Sequence, residues 1–214
     1  MNAARPEWQV VVLTGGGSRR MGRDKATLDV AGTSLLDRTL AGVPDEIPVV
    51  VAGPPVAVGR DGVRFVREDP PDGGPVAGLE AALSLVTTPV VVVLATDLPL
   101  VGGVPGLLAT ALSTVNGPEN GSDAVLAEDA SGRAQQLCAA YRTAALRRAI
   151  DEAGPAAGAA MRDVVARMRV DTVNVTALQE SAGEPTKVDP TWDIDTPEDV
   201  QRLTEMLDQI RPNP

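Results

Sequence analysis

The chain has 214 residues, a formal net charge of -10, one cysteine and no histidine. Without histidine there is no Ser–His–Asp hydrolysis, HExxH zinc chemistry or histidine proton relay, and one cysteine rules out an intrachain disulfide and a cysteine-built zinc site. The acidic balance argues against nucleic acid or an anionic membrane as partner, but leaves room for a small basic site.

The first element is WQVVVLT (8–14), a β-branched run ended by glycines, which reads as a strand buried on both faces. Pro6 and Glu7 before it, and its short apolar length, do not fit a secretory leader. No stretch approaches the roughly 20 apolar residues of a membrane span, so a cytoplasmic protein is expected. Residues 34–43 have helical spacing, with Thr33 or Ser34 as N-cap. Strands follow at 47–53 and 62–66, then a helix over 74–86 entered through Pro75. PVVVVLATDLP (89–99) is the strongest strand signal, and 104–115 is a helix. Residues 116–123 form a polar, turn-rich loop. Strands at 124–129 and 133–141, helices at 143–154 and 159–168, and a strand at 170–175 come next. The last element is a helix over 195–210, capped by Thr196, with Pro197 in the first turn and Asp199 three residues after the cap.

Alternating strands and helices predict a single α/β domain over 1–214, a sandwich with a mostly parallel sheet. Aromatics make up 2% of the chain, so its core must be aliphatic. Ligands of such sheets sit at the carboxyl ends of strands, which singles out the loops after Leu13 and after Ala95.

The first loop, LTGGGSRRMGRDK (13–25), fails two common phosphate motifs. Gly17 and Gly22 have P-loop spacing, but Arg23 and Asp24 follow; Gly15 and Gly17 begin a dinucleotide fingerprint, but Arg20 stands in place of its third glycine. Its chemistry still favours phosphate, since glycine N–H groups approach a ligand closely and Arg19, Arg20 and Lys25 supply positive charge. A glycine-rich turn with solvated arginines is the alternative. In the second loop, Asp97 is placed to hold Mg²⁺ against phosphate oxygens, or to serve as a turn or N-cap aspartate.

The stretch LTGGGSRRMGRDKATLDVAGTSLLDR resembles the signature of the molybdenum-cofactor guanylyltransferase (MobA-like) nucleotidyltransferases. The matching positions are Leu13, Gly15, Gly16, Ser18, Arg20, Met21, Gly22, Asp24, Lys25, Leu28, Gly32, Leu35 and Leu36, while Thr14 departs from the usual alanine. EDPPDGGPVAGLEAAL, LATDLP and WDIDTPEDV extend the resemblance along the chain. It implies a Rossmann-like three-layer α/β/α sandwich and transfer of GMP from GTP to the phosphate of molybdenum-molybdopterin, releasing pyrophosphate.

The same resemblance implies a nucleotide site of Leu13, Thr14, Gly15, Gly16, Lys25, Asp69, Gly74, Gly78 and Asp97. In it, Arg20 and Lys25 are catalytic, Asp97 is the Mg²⁺ ligand and Asp195, close to Asp193, is a second ligand. Asp69 matches the guanine-site aspartate, with Glu68 and Asp72 as neighbours, because a carboxylate accepts from N1–H and the N2 amine together. Gly15 holds the position that separates GTP users from CTP users, whereas Ala52 replaces a frequent asparagine near the nucleotide. For the acceptor the candidates are Tyr141, Arg142 and Lys187, with Arg133 and Trp192 also considered, although basic side chains at such positions are most often solvated surface charges. Transient contact with cofactor-biosynthesis proteins or molybdoenzymes is a further expectation. The rival readings are a sister enzyme with another acceptor or with CTP, and a non-catalytic nucleotide-binding protein.

Overall fold

The computed structural model describes residues 7–14, 25–114, 121–181 and 189–210. Seven strands form one sheet: β1 (Trp8–Leu13), β4 (Val49–Ala52), β5 (Arg64–Val66), β6 (Val90–Ala95), β7 (Ala124–Glu128), β8 (Ala134–Arg142) and β9 (Val170–Asn174). Their order across the sheet is β5-β4-β1-β6-β8-β7-β9. Only β8 runs against its neighbours; the pairings β1–β4, β1–β6, β4–β5 and β7–β9 are parallel. The expected α/β sandwich with a mostly parallel sheet is therefore what the chain forms.

Alternation along each central strand sorts side chains to the two faces. Val10, Val12, Val92 and Leu94 face α1 (Leu35–Ala41) and α3 (Val104–Thr114), through Leu36, Leu40, Leu108 and Leu112. Val11, Leu13, Val91 and Val93 face α2 (Pro75–Leu83), α4 (Thr143–Ala153) and α5 (Met161–Val165), through Leu79, Leu83, Leu146 and Val164. Helices cover both faces, which explains why the middle strands read as unbroken apolar runs. The helix expected over 159–168 is shorter, Met161–Val165.

Three elements had no clear sequence signal. One is α6 (Val175–Ser181), and the others are the two-residue strands β2 (Asp29–Val30) and β3 (Thr33–Ser34), which form a separate antiparallel pair. This pair joins α7 (Pro197–Ile210) in a small satellite core of Val30, Leu35, Ile194 and Leu203. It is that core which carries the end of the chain back toward the sheet. Among the described residues, no helix is long and apolar enough to cross a membrane.

Candidate active site at the tips of the central strands

The chain leaves β1 for β4 on one side of the sheet and leaves β6 for β7 on the other. The crevice between β1 and β6 is therefore the topological switch point, where α/β sheets bind ligands. Leu13 pairs with Ala52 on one side and Ala95 on the other, so three strands end in register there.

Two threonines tie these tips together. Thr14 donates to the Ala52 carbonyl from its N–H (3.1 Å) and its hydroxyl (2.9 Å). Thr96 does the same to the Leu13 carbonyl, from its N–H (3.1 Å) and its hydroxyl (3.0 Å). A third threonine, Thr39 of α1, donates to the Thr96 carbonyl at 3.2 Å. Gly53 has no room for a side chain: a Cβ there would lie 1.8 Å from the Thr14 hydroxyl oxygen. The two departures from the family pattern, Thr14 and Ala52, are thus in direct contact.

Lys25 lies in a 3-10 turn, Lys25–Thr27, and is 8% exposed. Its Nζ donates to Asp195 Oδ1 at 2.7 Å and to Asp97 Oδ2 at 3.2 Å. Burial works against the ammonium, but the hydrogen bonds and fields of Asp195 and Asp97 outweigh it, so Lys25 titrates above its ordinary value. Asp193 stands beside this group; burial first, and then the negative charge of Asp195, push its carboxyl up.

Two features fix the carboxylates. The Ile194 N–H donates to the Asp97 carbonyl at 2.9 Å, and the Ile194 side chain is fully buried in the satellite core. Asp195 then enters α7 through a capping arrangement. Asp199 Oδ2 accepts from the N–H groups of Asp195 (3.1 Å) and Thr196 (2.8 Å), and the Thr196 hydroxyl caps Asp199 N–H at 3.2 Å.

The first turn of α2 packs on the same tips. Gly74, at φ 90°, is its N-cap and accepts from the Gly78 N–H. A Cβ on Gly78 would sit 3.6 Å from Ala52 Cβ, 3.9 Å from Leu13 Cδ2 and 4.0 Å from Glu68 Oε2. The Glu68 carboxylate therefore stands next to the strand ends, while Asp69 is exposed. Asp72, at φ 67°, donates its N–H to Glu68 Oε1 at 3.2 Å.

The structure thus brings Leu13, Thr14, Lys25, Gly78, Asp97 and Asp195 to one end of the sheet, with Gly74 at the start of the helix packed there. Gly15, Gly16, Arg20 and Lys187 lie outside the described residues. Tyr141 and Arg142 are not at this site. They pair with Val91 and Val90, at the opposite end of β6 from Ala95. Tyr141 is fully buried, and its hydroxyl donates at 2.7 Å to the Gln136 carbonyl, where the register of β8 on β7 shifts. Its ring serves the sheet irregularity and offers no stacking surface. Arg142 donates to the Ser122 carbonyl at 3.0 Å, again away from the strand tips.

Sequence reasoning passed over Thr96 and Thr39, since a threonine at a strand end is ordinary. It also passed over Asp129, whose Oδ1 accepts from Ser131 and from the Arg133 N–H, and whose Oδ2 accepts from Gln135. The Ser131 hydroxyl foremost, and these other donors, hold the Asp129 carboxyl down at about 2. Asp189 Oδ2 accepts the neighbouring Ala130 N–H at 2.9 Å, docking the later chain on the β7–β8 turn.

Among the described residues no group of three or more His, Cys, Asp and Glu side chains is arranged to hold a metal ion. The two carboxylates that converge on Lys25 are nonetheless hard oxygen donors, and Mg²⁺ commonly takes one or two carboxylates with the rest from phosphates and water. The donor set fits that ion.

Residues 10–173 match the MobA-like NTP transferase domain. The molybdenum cofactor guanylyltransferase of Rhodobacter capsulatus is 31% identical over 209 residues, which are 94% of this chain and 97% of that protein. A probable molybdenum cofactor guanylyltransferase of Pelotomaculum thermopropionicum is 38% identical over 97 residues, 42% of this chain and 45% of that protein. In fold, the chain resembles the crystal structure of molybdopterin-guanine dinucleotide biosynthesis protein A from Archaeoglobus fulgidus. The TM-score is 0.68 and the identity 23%, over 94% of this chain and 100% of that one.

Proposed function

Since this chain belongs to the MobA-like NTP transferase family, a family of nucleotidyltransferases, we propose that it transfers GMP from GTP to the terminal phosphate of a molybdenum-molybdopterin acceptor. The observation that carries this reading is the meeting of Lys25, Asp97 and Asp195 at the β1–β6 switch point. A cation beside two carboxylates at a strand-tip crevice suits a nucleoside triphosphate and its counterion.

An oxygen of the acceptor phosphate attacks the α-phosphorus of GTP, the bond from that phosphorus to the bridging α–β oxygen breaks, and pyrophosphate leaves. A phosphate has a second pKa of about 6, so the nucleophile is already ionised at neutral pH and no histidine is required. The chain's contribution is positioning and charge neutralisation. The family resemblance assigns the phosphates to the glycines after Leu13, to Arg20 and to Lys25, residue types that supply N–H donors and positive charge. Asp97, with Asp195, would hold Mg²⁺, which when bound supplies charge neutralisation of phosphate oxygens. Asp69 accepts from the guanine edge, with Glu68 beside the strand ends as its neighbour.

The test is pyrophosphate release with GTP, Mg²⁺ and molybdenum-molybdopterin, using CTP and a sugar phosphate as alternative donor and acceptor. The expected result is Mg²⁺-dependent turnover with GTP that Asp97→Ala abolishes. Turnover with CTP in its place, or with the sugar phosphate only, would replace this assignment with a sister activity. In the same assay Asp69→Asn should cut the preference for GTP over ATP by about 1–3 kcal/mol, the scale of a bidentate base contact. An unchanged ratio would shift base reading to Glu68, Asp72 or the main chain.

A further inference from the structure

The Lys25 ammonium occupies the space between the two carboxylates that the reading above gives to a divalent ion. We propose that Lys25 is the resident cation of the Asp97–Asp195 pair, one that a divalent ion must displace, so that the metal enters with the nucleotide's phosphates rather than ahead of them. This rests on the proposed role of Asp97 and Asp195 toward the metal.

Lys25 Nζ lies 2.7 Å from Asp195 Oδ1 and 3.2 Å from Asp97 Oδ2. A Mg²⁺ ion on the same oxygens would sit about 2.0–2.1 Å from each, so it would meet the ammonium at close range with like charge. The carboxylates are the fixed partners. The Ile194–Asp97 main-chain bond and the Asp199 cap hold their backbones, whereas lysine carries its charge on a flexible four-carbon stem. Lys25 is also the partner that loses most by leaving, because its side chain is 9% exposed while those of Asp97 and Asp195 are 27% and 63% exposed. An ammonium that gives up both carboxylates in that place loses two charge-assisted hydrogen bonds while staying largely buried. A bare divalent ion must meet that cost and brings no anion to relieve it. A metal–nucleotide complex brings phosphate oxygens that receive the ammonium as the metal takes the carboxylates.

The test uses Mn²⁺ alone, counted as free ion by electron paramagnetic resonance, with neither nucleotide nor acceptor present. The outcome therefore does not depend on which base or acceptor the enzyme uses. Lys25→Gln should bind one Mn²⁺ about tenfold or more tightly than the natural protein, within the usual range of coupling between two bound species. That gain should vanish in Lys25→Gln/Asp97→Asn. Equal Mn²⁺ affinity with and without Lys25 overturns the proposal, as does a gain that survives loss of Asp97. Acylation of the unaltered protein gives a second reading that needs no variant to fold, because its only lysines are Lys25 and Lys187. Mn²⁺ at levels that fill the site should raise labelling of Lys25 relative to Lys187. A filled site with unchanged Lys25 labelling means that the two cations coexist, and the proposal fails.

Discussion

At the scale of single residues, the tightest constraint lies between Thr14 and Gly53. The Thr14 hydroxyl fills the space of a Gly53 side chain and donates to the Ala52 carbonyl. Gly53→Ala should therefore destabilise the protein by about 1–3 kcal/mol, the usual cost of overpacking. Thr14→Ala removes a buried hydrogen bond and should cost about 1 kcal/mol. Together the two changes should cost less than their sum, since alanine at 14 deletes the oxygen that alanine at 53 meets, while the tight 3.2 Å approach to the Cβ of residue 14 keeps part of the cost. Urea titrations of the four proteins measure the cycle, and strict additivity would deny the contact. Thr14 is identifiable in the sequence as a departure from its motif and Ala52 as another, yet nothing in the letters says that they touch. Their meeting depends on the parallel register of β1 on β4, which is long-range information.

At the scale of elements, helix α7 exists at the site because of its first turn. Asp199 Oδ2 gathers the N–H groups of Asp195 and Thr196 and the Thr196 hydroxyl. The Thr196–Pro197–Asp199 spacing made this cap readable in advance. That it delivers Asp195 to Lys25 was not readable, because the contact spans 170 positions. Asp199→Ala should cost about 1 kcal/mol of stability, the scale of a lost N-cap. It should also weaken Mn²⁺ binding in the Lys25→Gln background, through the loosened Asp195. Loss of stability with undiminished Mn²⁺ affinity would separate the cap from the site. A second element-level pin joins β9 to the start of β7, where Arg169 donates to both oxygens of Asp123 (3.2 and 3.1 Å) and its N–H adds a third bond. The Arg169 side chain foremost holds the Asp123 carboxyl below its ordinary value. The stability this gives is present above the unfolded pKa of about 3.9 and is lost as pH falls through the lower folded value. Melting temperatures between about pH 5 and 2, roughly the range of carboxyl titration, should fall more steeply for the natural protein than for Asp123→Asn. Parallel curves would leave the pair without a role in acid stability.

At the scale of the whole molecule, local patterns carried the strands, most helices and the two loops that meet at the switch point, because apolar runs and caps are local signals. They did not carry the reversal of β8. Residues 133–141 read as a strand, and the resemblance makes Tyr141 and Arg142 acceptor candidates, but an antiparallel strand puts both beside the start of β6. The same strand buries Cys138 completely, against Leu94 of β6. Burial, aided by the charge of Asp189, pushes its thiol up to about 12. A thiol reagent should find almost no thiolate in the folded protein and one equivalent in denaturant. Because β8 lies inside the sheet, between β6 and β7, exposure of Cys138 requires the sheet to open, and the slow labelling rate then reports the opening equilibrium. A ligand that binds only the folded chain lowers that rate by a factor of one plus the free ligand concentration over Kd, about 100-fold at 100 times its Kd. GTP with Mg²⁺ should slow Cys138 labelling strongly, CTP with Mg²⁺ much less, and GTP protection should shrink in Asp69→Asn. Equal protection by the two nucleotides would leave the base unread by this site, and no protection by either would remove the triphosphate from it.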